Sequence, residues 1–310
     1  MKAKVLNSAF REEVVALLGV MDQQLGYGAE SGPFTYIQQR NIINSLFAKN
    51  SALDYIEKVI LRLIVIDSLY STNAAYSYFS FEEMAEKIVS LGPSDEYAAE
   101  YFYNVATRKQ TGCILFDERY GIRKNLERGS RQISLLSKYA YYLLQQDRVK
   151  YPLGFPIYDS LALKEYPKLC KRLNISHCAN KDIKDDIDAY VAALDELRKV
   201  VFEVTSFELQ QFDLLDAYLW RMGKVSEGNF SLLVNRAEYN QLIANLGLAH
   251  YTTSEANKDE AKEDKQFNSK VVAKCAELDA DKIIKGISDI MLNALVSHWK
   301  NAQEQDKNRK

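Results

Sequence analysis

The sequence predicts an all-α protein, and three observations carry that prediction. Only 13 Gly and 5 Pro punctuate 310 residues, far fewer turn-formers than a β-sandwich or barrel of this size needs. Apolar residues recur at three- and four-residue intervals in stretch after stretch. Hydrophobic residues make up 47% of the chain and charged residues 26%, enough to bury one large core or two smaller ones and to exclude disorder of the whole chain.

Taken in order, "AFREEVVALLGV" (9–20) has the spacing of an amphipathic helix. The loop "GYGAESGPF" follows as a connector, because Gly26, Gly28 and Gly32 fit neither phosphate-binding spacing and no Lys-Ser or Lys-Thr pair comes after them. Helices are predicted over 35–49 and 52–70. In "SFEEMAEKIVSLG", Ser80 and Glu83 have capping-box spacing, and Gly92 can take the left-handed conformation that ends a helix. Further helices are predicted at 95–108, 131–146, 159–173, 182–203, 206–223 and 235–247. The stretch 252–270, "TTSEANKDEAKEDKQFNSK", is charged and almost free of large apolar residues, and it reads as a polar linker. Beyond it, 271–300 is an amphipathic C-terminal helix that either docks back on the body or serves as a partner-helix contact with another chain, and 301–310 is a polar tail. No repeat of fixed period is visible.

The formal charge of −2 argues against a protein that coats nucleic acid indiscriminately. Its distribution is uneven: between Thr107 and Lys150 ten basic residues face four acidic ones, a local excess of six that reads as a solvated helical face or a phosphate-binding surface. The 20 tyrosines suit half-buried surfaces or a cleft. Cys113, Cys170, Cys178 and Cys275 show no CxxC spacing, and Cys170, His177 and Cys178 lack a regularly spaced fourth ligand, so no metal is expected. With no leader-like segment and no apolar run of about 20 residues, the expectation is a cytoplasmic protein with reduced thiols and no membrane contact.

Three stretches are candidates for chemistry. In "VIDSLYSTNAA" (65–75) an apolar helix turns abruptly into Ser71, Thr72 and Asn73, small polar residues that either cap the helix or contact a phosphate or base edge. In "SRQISLLSKYAYYLLQQ" (130–146) apolar positions cover more than half the wheel and leave Lys138 at the boundary beside Tyr142. Desolvation there would lower the lysine pKa and expose a nucleophilic amine; the competing reading is a lysine whose stem packs while its charge reaches water. In "GFPIYDSLALKEYPKLCKRL" (154–173) Pro156 biases Phe155 toward extended geometry, and Asp159 stands where an N-cap stands. If that cap faces a cleft, its carboxylate can stabilise a developing cation. Lys138 lies on the preceding helix and Asp159 opens the following one, so both can converge on one crevice. Farther on, Asp216 and Trp220 share a helix face, read as a buried structural face against the Asp159 helix.

A polar-ended helix, a lysine helix about twenty residues before an aspartate, and an aspartate just after "FP" together resemble the helix-hairpin-helix DNA glycosylases, in particular their 8-oxoguanine glycosylase branch. "VIDSLYSTNAA" looks like the helix near the start of that family's central domain, "LLSKYAYYLL" like the helix after its hairpin, and "FPIYDSLA" like its Pro-Val-Asp segment. The resemblance covers residues 55–175. It departs from the family in having only Gly129 where the hairpin carries Gly-x-Gly, one extra residue between Pro156 and Asp159, and no cysteine quartet for an iron-sulfur cluster.

The resemblance implies two helical lobes flanking a cleft, one built from 1–66 and 159–251 and the other from 67–158. It implies a glycosylase with lyase activity that needs no cofactor, with DNA carrying a damaged or modified base as its partner. Lys138 would attack the sugar C1′, and Asp159 would be the assisting carboxylate. Ser71, Thr72, Asn73, Arg123, Lys124, Arg128, Arg131 and Tyr158 would contact DNA or the extruded base. The alternative is a catalytically silent helical scaffold that binds DNA or protein. A Ser-Lys hydrolase using Ser134 and Lys138 is a third reading, with suitable spacing but no visible oxyanion loop.

Overall fold

The structure is a computed structural model that describes residues 36–48, 53–70, 72–172, 175, 180–205, 212, 215, 216, 219 and 220. The predictions at 9–20, 206–223, 235–247, 252–270 and 271–300, and Ser71, fall wholly or mostly outside these residues. The chain divides into two compact units, Met1–Ala3 with Tyr36–Asp216 and Lys4–Thr35 with Ala217–Lys310. Residues 67–158 and the helices on either side of them share the first unit, whose architecture follows.

That unit is predominantly helical. Its helices are α1 (Tyr36–Phe47), α2 (Tyr55–Tyr70), α3 (Ser80–Val89), α4 (Asp95–Ala106), α5 (Cys113–Phe116), α6 (Ile133–Leu144), α7 (Ser160–Arg172), α8 (Asn180–Ile183) and α9 (Ile187–Thr205). The strands β1 (Tyr120–Ile122) and β2 (Arg128–Ser130) form an antiparallel ribbon, with Tyr120 opposite Ser130 and Ile122 opposite Arg128. Among the described residues, no helix is long and apolar enough to cross a membrane.

Helix α6 is the central element. It packs against α1, α2, α4 and α5, and Ile133 and every residue from Leu135 to Leu144 are buried. Around it an aromatic cluster closes the core. Phe116 stacks on Phe155 with ring centroids 5.7 Å apart, Phe102 meets both rings edge-on, and Phe47 meets Tyr139 at 5.3 Å. Phe155 therefore anchors the extended "FP" segment between α4 and α5.

Three local predictions are corrected. The capping box at Ser80 and Glu83 does not form. Helix α3 begins at Ser80 itself, whose hydroxyl donates to the Ala74 carbonyl, while Glu83 accepts from the Gly121 N–H at 2.9 Å and from Arg128 at 3.0 Å. Gly92 sits at φ +159° rather than in the left-handed helical region, and glycine is needed there because a Cβ would fall 2.2 Å from the Tyr97 ring. The helix predicted over 182–203 is broken after Ile183, where Asp185 takes φ +59°, and restarts at Ile187.

The ribbon is an addition to the all-α expectation. Its loop is a turn from Arg123 to Leu126, closed by Leu126 N–H to Arg123 O at 2.9 Å and Arg123 N–H to Glu127 O at 2.8 Å. A Cβ at Gly129 would lie 1.8 Å from the Tyr120 carbonyl oxygen, so only glycine permits β2 to approach β1 this closely. Segment 77–79 docks along the other edge through paired backbone bonds between Tyr78 and Ile122, both at 2.9 Å.

Candidate functional site

Lys138 lies in the middle of α6 and is 3% exposed. Its position at the edge of a single-helix wheel is misleading, because α2 packs on α6 and brings Tyr70, its last residue, to the lysine. The stem is buried and the charge does not reach water, so the snorkelling alternative does not describe it. Nζ donates to Ser134 Oγ at 2.7 Å, one turn back on the same helix, and sits 5.4 Å from the centre of the Tyr70 ring. The Tyr70 hydroxyl shares a 2.5 Å hydrogen bond with that of Tyr142. Burial pushes the Lys138 ammonium below its ordinary value of 10.5, while the Asp159 and Asp216 carboxylates pull it back up. Among the described residues no carboxylate oxygen comes within 4.0 Å of its nitrogen.

The segment that leads into Asp159 is fixed bond by bond. Tyr158 N–H donates to Ser137 Oγ at 2.9 Å, tying it to α6 one residue before Lys138. Ile157 N–H donates to Asp216 Oδ2 at 2.8 Å, and the Ile157 carbonyl accepts from the Tyr190 hydroxyl at 2.8 Å. Asp159 then caps α7, as its sequence position implies, with Oδ1 accepting from Leu161 N–H at 2.7 Å. Every backbone polar group named here is satisfied in an extended stretch that belongs to no sheet. These bonds fix the backbone that carries Asp159, whose carboxylate favours the Lys138 ammonium.

Asp216 is the partner that sequence spacing did not assign to this site. Asp216 is buried, but its carboxylate accepts from the Ile157 N–H in the extended segment ahead of α7 rather than from the Asp159 helix itself, and it also favours the Lys138 ammonium and raises the Tyr190 pKa. Ser137, fully buried and bonded on both sides, gave no sequence signal because a serine on an apolar helix face has many structural uses.

The other candidate residues are dispersed. Thr72 donates to Asp67 Oδ1, and Asp67 also accepts from Ala74 N–H at 2.9 Å and Ala75 N–H at 3.3 Å, so the turn after α2 is built around Asp67. Asn73 is exposed at φ +67°. Tyr158 is 8% exposed, its ring edge-to-face with Tyr190 and its hydroxyl accepting from Asp185 N–H at 2.8 Å, so core packing occupies it. Arg128 pairs with Glu83 at 3.0 Å, and Arg131 donates to the Asp185 carbonyl at 2.9 Å. Arg123 and Lys124 are exposed on the ribbon, without an ion-pair partner among the described residues. Where the resemblance implies a helical hairpin ahead of the lysine helix, this chain has the β1–β2 ribbon. Cys170 is buried in α7, and His177 and Cys178 lie outside the described residues.

The two carboxylates make one prediction about Lys138 that is independent of function. Asp216→Asn removes an anion that favours the ammonium, so the Lys138 pKa is expected to fall further below 10.5, read by NMR titration of 13Cε-labelled lysine. Asparagine can still accept from Ile157 N–H, which separates charge from geometry. An unchanged or raised midpoint would show that Asp216 does not act on this amine.

No family model, curated protein or solved structure matches this chain.

Proposed function

We propose that the protein excises a damaged or modified base from DNA, with Lys138 as the nucleophile and Asp159 as the assisting carboxylate, in two helical lobes arranged as in the helix-hairpin-helix glycosylases. One observation carries the reading: a lysine amine desolvated by burial, hydrogen-bonded to a serine hydroxyl and acted on by the Asp159 and Asp216 carboxylates, which an extruded nucleotide reaches once the packing over α6 opens. A buried ammonium without a contact ion pair is costly, and a structural lysine would relieve that cost by pairing. Burial favours the uncharged form of the amine, and the uncharged form is the one that attacks an anomeric carbon.

In the proposed reaction the bond from C1′ to the base nitrogen breaks and its electron pair leaves with the base, which takes up a proton. The positive charge that develops on the sugar is stabilised by Asp159, and Lys138 Nζ forms the new bond to C1′ and loses a proton. Ring opening then gives an imine, from which the strand can be cleaved. Asp216 holds the Ile157 backbone and, through it, the position of Asp159.

The test is borohydride trapping on single- and double-stranded oligonucleotides carrying oxidised, deaminated, alkylated or glucosylated bases. A covalent adduct with one of them, stable to denaturation, is the expected result. No adduct and no alkali-labile site on any substrate, from folded protein, favours the silent scaffold. The 2.7 Å Ser134–Lys138 hydrogen bond favours one further reading, a serine hydrolase with Lys138 as base. Ser134→Ala separates the two, because it removes a serine nucleophile and leaves the amine able to form an adduct.

A further inference from the structure

The strongest feature outside the buried site is a surface where exposed apolar side chains and unneutralised positive charge occur side by side. Tyr76, Tyr78 and Phe79 are 77%, 57% and 64% exposed on the segment after Asn73. A phenylalanine is usually buried, and three large aromatics exposed together on one short segment form the kind of patch that marks a binding surface. Phe79 is held at φ +63°, a conformation that a bulky side chain rarely adopts.

The ribbon repeats the pattern. Leu126 occupies the left-handed position of the loop at φ +63°, where glycine or asparagine is the usual occupant, and it projects into solvent at 87% exposure. Arg123 and Lys124 precede it on the same loop, both exposed and without ion-pair partners among the described residues. Backbone bonds join the two elements: Tyr78 lies opposite Ile122, which lies opposite Arg128. Arg128 is engaged by Glu83, and Glu127 is the one acidic side chain on the loop, so net positive charge remains at the tip.

We propose that this ribbon and residues 76–79 form a grip for single-stranded nucleic acid, with phosphates on Arg123 and Lys124 and unstacked bases on Tyr76, Phe79 and the Leu126 side chain. Aromatic faces accept any base once it has left the helical stack, and point charges follow the backbone, so this pairing suits a strand whose bases are free. An acidic peptide would use the charges but would leave Tyr76 and Phe79 without a flat partner. The inference rests on the nucleic-acid half of the proposed function and not on the chemistry at Lys138.

The experiment is fluorescence anisotropy of the full-length chain with a fluorescein-labelled 30-mer, single-stranded and in duplex, across a salt series. The single strand is expected to bind more tightly than the duplex. Arg123→Ser with Lys124→Ser is expected to weaken binding at least tenfold in roughly 0.1 M salt, and to flatten the log-log salt slope for the single strand by about 1.4. Tyr76→Ala with Phe79→Ala is expected to weaken it by a similar factor with the slope unchanged. Leu126→Gly is expected to raise the melting temperature, because glycine takes the positive φ freely, while lowering affinity. A gain in stability together with a loss of binding is not what a purely structural role would give.

Variants that bind as the parent protein does, or competition by oligoglutamate equal to that by oligonucleotide, would overturn the grip. The outcomes also separate it from the catalytic reading. Ribbon-dependent binding with no borohydride adduct on any base leaves the grip standing and removes the glycosylase. Undiminished adduct formation by ribbon variants at subsaturating DNA removes the grip and leaves the glycosylase.

Discussion

Lys138→Gln is expected to fold, to melt within a few degrees of the parent protein, and to form no borohydride adduct with any substrate the parent traps. Glutamine keeps a donor that can reach toward Ser134, which accepts from Lys138 at 2.7 Å. It also removes the ammonium whose burial disfavours its charged form. Stability is therefore not what the lysine supplies. Chemistry is, because no glutamine nitrogen can form an imine with an anomeric carbon. Adduct formation that persists in Lys138→Gln would assign the amine elsewhere. A protein that loses its fold with this single change would make the lysine structural and would support the scaffold reading.

Arg62→Met is expected to be the most destabilising of the polar substitutions, at about 3 kcal/mol in chemical denaturation. Arg62, on α2, is 2% exposed. Its two terminal nitrogens grip Asp95 at 2.6 and 2.9 Å, its Nε donates to the Leu46 carbonyl at 3.0 Å, and its guanidinium lies 4.4 Å over the Phe47 ring. One side chain thus joins the end of α1, the middle of α2 and the first turn of α4. Methionine can fill the volume and keep the contact with Phe47, but it leaves the Leu46 carbonyl and the Asp95 carboxylate without this donor. Asp95 is 35% exposed and can rehydrate in part, which sets the expected loss at the lower end of the range for a broken buried pair. Arg62→Lys should recover less than half, because an ammonium cannot reproduce the planar two-point contact. A loss below about 1 kcal/mol for Arg62→Met would place the ion pair among weakly contributing surface pairs.

Most of the helical framework could be read from periodicity. The helices predicted at 35–49, 52–70, 95–108, 131–146 and 159–173 coincide with α1, α2, α4, α6 and α7 to within three residues at each end. The ribbon could not. Each strand has three residues with a glycine at its centre, too short for alternation to register and disfavoured by strand propensity. Its existence depends on tertiary contact, since Gly121 and Gly129 are required by the close approach of Ser77 and of the Tyr120 backbone.

The misread start of α3 has a similar cause. Ser80 and Glu83 have the right spacing for a cap, but Gly121 and Arg128, distant in sequence, claim the Glu83 carboxylate. At the candidate site Lys138 and Asp159 were legible because one stands out on an apolar helix and the other follows a proline. Asp216 was legible as a buried aspartate but not as their neighbour, because the 56 residues between Asp159 and Asp216 decide where it lands.

The central claim is that Lys138 is the amine that meets the sugar, and the most direct measurement is peptide mapping of the reduced adduct. Digestion of the borohydride-trapped complex and tandem mass spectrometry are expected to find the sugar-derived mass on the peptide containing Lys138, and on no other lysine. A modification located on another lysine, or on the chain's α-amino group, would contradict the account at its centre.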